Sequence, residues 1–205
     1  FVNIKFKFVA SGDAEIRIDF VPGQSDSVIG KSALQDTDQT KANMNFGWFN
    51  STTSDEEYSR VVLHEFGHAL GFLHEHQSPL AHVPWDQHKA LEYFINELPC
   101  DSKKSKEECE KSIIDNTMKA YSPSEVNYSL FDSSSIMCYK IPDEITNGDF
   151  STPKNTTLSE MDKIYANVFY PKKKEPVAFR AHNGEYVQAL DAKNELGLMN
   201  TNNNI

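Results

Sequence analysis

Three observations predict an α+β fold built on a twisted mixed sheet. Three segments within the first fifty residues alternate apolar and polar side chains with a period of two. A helix with clear start and stop signals follows them, and the remaining chain mixes helical periodicity with turn-rich stretches. With 205 residues, 39% hydrophobic and 24% charged, the chain suffices for one well-buried domain and a small appendage.

The elements follow in order. Residues 2–9 set Val2, Ile4, Phe6 and Phe8 against Asn3, Lys5 and Lys7. Residues 14–20 and 42–48 repeat the pattern, so all three read as half-buried strands of one sheet. A polar loop covers roughly 23–41. Ser54 and Glu57 form an S-x-x-E capping pattern that opens a helix. Val61, Val62, Phe66, Ala69 and Leu70 give it an apolar face, and Gly71 stops it. Further helices are expected at about 86–97, 105–119 and 159–168, with turns over 122–157.

Bulk properties bound the function. A formal net charge of −10 argues against nucleic acid or anionic membrane as main partner. No apolar run reaches the roughly 18–20 residues of a membrane span. The chain opens on Phe1 without a signal-peptide pattern, and it reads as processed or cut.

The chemistry concentrates in His64-Glu65-Phe66-Gly67-His68-Ala69-Leu70-Gly71-Phe72-Leu73-His74, an H-E-x-x-H-x-x-G-x-x-H pattern. His64 and His68 are four apart on a helix, so they share one face and reach one metal. After the Gly71 break, His74 approaches from another side. Three neutral imidazoles leave one position open for water, the layout of a single catalytic Zn²⁺. Glu65 sits beside that position as general base, so that water attacks a peptide carbonyl.

This pattern resembles the metzincin zinc metalloproteases, and Ser135-Ile136-Met137-Cys138-Tyr139 resembles their Met-turn. The resemblance covers about residues 1–171 and implies a zincin-like domain with a zinc helix, a Met-turn and a C-terminal helix. It implies Met137 as an apolar floor under the zinc. Tyr139 is similar to the astacin tyrosine that ligates resting zinc and stabilises the oxyanion; plain packing is its alternative. Glu75 matches the astacin residue that helps anchor the mature N-terminus, but the Arg and Asp residues that usually follow are absent. Such domains begin with a further strand and helix; this chain is expected to start at their second strand, the earlier part being either removed or outside the given sequence. The 42–48 strand, with Asn43, Asn45 and Gly47, is expected to be the substrate edge or a plain edge strand. Lys140 after the Met-turn would favour an acidic residue beyond the cleaved bond, a solvated lysine being the stronger reading. A secreted endopeptidase of the astacin-like branch, acting on protein or peptide substrates, is the function implied. Its rival is a non-enzymatic module, a degenerate protease fold or zinc-stabilised adhesin, which would have no need of Glu65.

Other features stay open. Cys100 and Cys109 are either bridged or two free thiols, and Cys138 is expected as a buried thiol rather than a ligand. His76, His82, His88 and His182 read as surface or hydrogen-bonding residues. The sequons at Asn50, Asn127 and Asn155 are about as many as chance supplies. Residues 172–205 are expected to form a linker and either the opening hairpin of a β-trefoil or a strand pair or loose tail of the first domain. Oligomeric state is not legible.

Overall fold

The computed structural model describes residues 1–98, 104–172, 178–180 and 186–188. Contacts divide the chain into two units, Lys7–Lys163 and Phe1–Phe6 with Ile164–Ile205. In the first unit β1 (Ile18–Asp19), β2 (Ser25–Ser27) and β3 (Met44–Phe46) form a small mixed sheet ordered β1–β3–β2. β1 runs parallel to β3, and β2 antiparallel.

The central place of β3 corrects the expectation that Asn43, Asn45 and Gly47 form a substrate edge. Both rims of β3 are taken, and the edge on the other side of it from β1 is β2. Ser25-Asp26-Ser27 lacks apolar alternation, so sequence periodicity hides this edge strand. The other strands are shorter than expected. Residues 2–9 join no ladder among the described residues. Alternation supplies an apolar face, but a strand also needs a neighbour for its backbone groups; the Asn3 N–H instead donates to the Tyr170 carbonyl. Of residues 14–20, only Ile18–Asp19 pairs with β3.

Two asparagines explain this shortening. The Asn43 side chain accepts from the Arg17 N–H at 2.8 Å and donates to Glu15 O at 2.9 Å and Ala33 O at 3.4 Å. The Asn45 side chain accepts from the Val21 N–H and donates to Val21 O and Gln24 O. Side-chain amides thus replace ladder bonds at both ends of β1. A Cβ on Gly47 would lie 2.4 Å from Gln24 O, so the close approach of the chain before β2 requires glycine there.

Helix α1 (Asp55–Ala69) starts at Ser54, whose side chain accepts from the Glu57 N–H. Val61 packs on Met44 and Phe46, with Ile16, Phe49, Val62, Phe66 and Ala69 around them. This first core fixes the helix on the sheet. A second core joins Ala90 and Phe94 of α2 (Gln87–Glu97) to Ile113 at the end of α3 (Lys106–Ile113), and to Met118, Ile141 and Ile145. Asp86 caps α2, and Ser105 with Glu108 closes a reciprocal capping box on α3. The single helix expected over 105–119 widens into a π-type turn at Ile114–Met118. Three side-chain donors meet successive carbonyls there: His76 at Thr117, Trp85 at Met118 and Gln77 at Lys119.

Helix α4 (Glu160–Phe169) begins with Ser159 and Asp162 bonded reciprocally through side chain and backbone. In the smaller unit β4 (Ala178–Arg180) pairs antiparallel with β5 (Tyr186–Gln188). The connecting His-Asn-Gly, with His182, lies outside the described residues. Cys109 is disulfide-bonded and Cys138 is free and buried, while Cys100 also lies outside the described residues. No helix among the described residues is long and apolar enough to cross a membrane.

Asn43 is buried and holds three backbone groups, so Asn43→Ala should cost about 1–3 kcal/mol. Urea unfolding checks this; an unchanged midpoint would show that the amide is not a structural clamp.

Candidate metal centre

The end of α1 builds the site through backbone geometry. Gly71 takes φ +96°, and its N–H donates to His68 O while the Phe72 N–H donates to Gly67 O. This is a Schellman closure, and it needs a left-handed residue at Gly71. It turns the chain back so that His74 returns to the face carrying His64 and His68. It also presents the Phe72 carbonyl to His68 Nδ1 at 2.8 Å.

Each histidine has an oxygen acceptor behind it. His64 Nδ1 lies 2.8 Å from Ile136 O, and His74 Nδ1 lies 3.2 Å from Gln77 Oε1. A proton on each Nδ1 leaves a lone pair on each Nε2. The ligand atoms of His64, His68 and His74 lie within 4.8 Å of one another. His68 Nε2 and His74 Nε2 are 3.0 Å apart. Two nitrogens at about 2.0–2.1 Å from a tetrahedral zinc are separated by about 3.3 Å, so the group fits such an ion.

The turn at Ser135–Tyr139 lies against this group. Cys138 N–H donates to Ser135 O, closing the turn, and Glu75 N–H donates to Met137 O. Met137 is buried, and a Cβ added at Gly67 would fall 2.4 Å from its sulfur. Glycine between Glu65 and His68 therefore makes room for the methionine. Asp162 holds the turn in place, accepting from Ser135 Oγ at 2.6 Å and the Ile136 N–H at 2.8 Å. Asn155 donates to Ser133 O and Ser135 O, so its amide nitrogen is already spent on structure.

The fold is shared with solved proteins. A structure of myroilysin matches with a TM-score of 0.74 at 41% identity, over 84% of this chain and 81% of that one. A crystal structure of myroilysin matches with 0.61 at 39%, over 83% and 72% respectively. This chain belongs to the myroilysin family. No protein-family model and no curated protein matches it.

In this myroilysin relative a cleft of about 980 Å³ is lined by Asp26 of β2, His64, Glu65, Tyr93, Tyr139 and Lys140. Glu65 is 4% exposed, and its Oε2 has no hydrogen-bond partner. Burial pushes its carboxyl up to about 8, with the charge of Asp26 adding to the effect. The Tyr139 ring lies 4.4 Å from that of His74, and burial raises its phenol to about 12. Cys138 is likewise raised to about 12 by burial, so it is a thiol there. Lys140, His82 and His88 are exposed. Of the two readings of His76, surface or hydrogen-bonding, the structure shows the second: it is 2% exposed, stacked 4.6 Å from Tyr139 and bonded to Thr117 O. Glu75 accepts from the Asp132 N–H at 2.9 Å.

Sequence reading missed Gln77, Asp162, Asn155 and Gly67. Only Asp162 carried a signal, the Ser159-x-x-Asp162 capping spacing.

The buried groups set a pH profile for the metal-free chain. Burial, and then neighbouring His68, lowers His64 to about 3. Burial lowers His76 to about 4 and depresses His68 and His74 too. Below an unfolded pKa of about 6.5 the unfolded chain takes up these protons first, so acid destabilises the fold. Glu65 acts oppositely: folded it keeps its proton up to about 8, so stability falls as pH rises from about 4.5 to about 8. Glu75, also raised, adds to that opposing side. The four histidines outweigh the two carboxyls below about pH 6.5, and Glu65 acts without them above it. Urea midpoints in chelator should peak near about pH 6.5. A midpoint still climbing at pH 8 contradicts the buried, neutral Glu65.

Proposed function

We propose that this chain is a zinc-dependent endopeptidase of the metzincin type, astacin-like in its site. One observation carries the reading: three imidazoles, each backed by an oxygen acceptor, turn their free nitrogens together beside a buried carboxylate oxygen that lacks a partner. His64, His68 and His74 would hold one Zn²⁺, which when bound polarises water and substrate carbonyl and lowers the pKa of water towards about 7.

The residues divide the remaining work. Glu65 takes the proton of the attacking water and passes it to the leaving amine. Its carboxyl, kept neutral by burial, ionises once positive charge comes beside it. Tyr139 keeps its phenolic proton and would donate it as a hydrogen bond to the developing oxyanion; its oxygen would also serve as a further ligand when zinc is bound at rest. Met137 is the apolar floor. β2, which pairs with no further strand among the described residues, would take an extended peptide as an added strand along the cleft. The disulfide at Cys109 supports a secreted protein. The protease region runs to about residue 171, and the β4–β5 pairing is compatible with a trefoil-like start in 172–205.

Peptide cleavage with and without chelator tests the reading, beside Glu65→Gln. Cleavage should vanish with chelator and return with zinc. Glu65→Gln should lose at least about 100-fold in kcat while keeping its zinc. A parent chain that retains zinc but shows no chelator-sensitive cleavage would sink the enzyme reading.

A further inference from the structure

The segment after His74 has no role in the reaction as derived, yet its packing is specific. Gln77 is 2% exposed, and every polar group it carries is engaged. Its Oε1 meets His74 Nδ1 at 3.2 Å, and its Nε2 donates to Lys119 O at 3.0 Å. Its backbone N–H donates to His74 O at 3.1 Å, and its carbonyl accepts from the Tyr121 N–H at 2.8 Å. The other two candidate ligands orient on backbone carbonyls, Ile136 O and Phe72 O. His74 alone among the three depends on a side chain, which a point mutation can remove.

We propose that Gln77 is the positioning residue of the third metal ligand: its amide oxygen fixes the His74 ring with Nδ1 protonated and Nε2 facing the metal, and its amide nitrogen anchors that orientation to the chain after the π-type turn. The inference rests on the zinc reading of the site. The neutral amide suits the task. An oxygen acceptor selects the Nδ1–H tautomer, since a ring nitrogen carrying a lone pair would repel it. Outer partners of this kind hold metal-ligating histidines in orientation, and losing one costs roughly 10–100-fold in metal affinity. The amide itself is held at both ends, so it cannot swing aside at low cost. His76 gives the same segment a second hold, through Thr117 O on one side and the Tyr139 ring on the other.

Two substitutions separate positioning from plain packing. Gln77→Met keeps the length and apolar bulk but loses both hydrogen bonds. Gln77→Glu keeps the acceptor facing His74 and loses the donor to Lys119 O. The probe is zinc alone, its Kd read by chelator competition at pH 7.5, with thermal melting of the metal-free chains alongside. Gln77→Met should weaken zinc roughly 10–100-fold, and Gln77→Glu should bind within about threefold of the parent or tighter, a carboxylate being the stronger acceptor. Equal weakening in both, or no weakening in Gln77→Met, overturns the proposal. Should either variant fail to fold, nitrogen chemical shifts of His74 in the zinc-loaded parent decide: a protonated Nδ1 supports the proposal, and a deprotonated one overturns it. A parent chain that binds no zinc overturns the zinc reading beneath the proposal, an outcome distinct from zinc binding that ignores Gln77.

Discussion

The oxygen acceptors behind the three imidazoles are the constraint on which the site depends. A histidine side chain has two rotatable bonds and two tautomers, so a motif of three histidines does not by itself define a metal site. Ile136 O, Phe72 O and Gln77 Oε1 remove that freedom. Each acceptor comes from a different part of the fold. Phe72 O is delivered by the helix closure at Gly71 and Ile136 O by the turn at Ser135–Tyr139, while Gln77 is pinned by the backbone at Lys119 and Tyr121. The site is therefore assembled only when α1, that turn and the end of the α3 region are all in place.

Much of this was legible in the sequence because its causes are local. The Ser54 cap, the Asp86 cap, the Gly71 stop and the four-residue spacing of His64 and His68 are written within one or two turns of chain. The segment Ser135–Tyr139 was legible through family resemblance, and the structure brings it against the histidines. What failed was non-local. Alternation at 2–9 and 42–48 indicates a face, not a pairing partner, and β3 proved central because the polar Ser25–Ser27 pairs on its far side. Asn155 acts on groups some twenty residues away, and Gln77, though only three residues from His74, is anchored at the distant Lys119, so no spacing rule marks either. The π-type turn depends on donors from His76, Trp85 and Gln77 that arrive only on folding.

A second theme is the use of polar side chains as substitutes for backbone pairing. Asn43 and Asn45 finish the sheet where its ladder stops. Asp162 does the same for the turn at Ser135–Tyr139, accepting from Ser135 and Ile136 while also capping α4. These residues make a small sheet and an irregular lower region definite enough to hold a site. The cost is a set of buried polar groups, most of which are satisfied. Among the described residues, Glu65 Oε2 and His76 Nδ1 are the two exceptions.

On the proposed reading, three imidazoles and no sulfur would hold one ion through their Nε2 atoms. X-ray absorption at the zinc edge, on the chain loaded with one equivalent of zinc, reads those neighbours directly. Nitrogen and oxygen neighbours at about 2.0–2.2 Å are expected, with the multiple-scattering pattern of three imidazoles. A sulfur neighbour at about 2.3 Å, or fewer than three imidazoles, would contradict that reading.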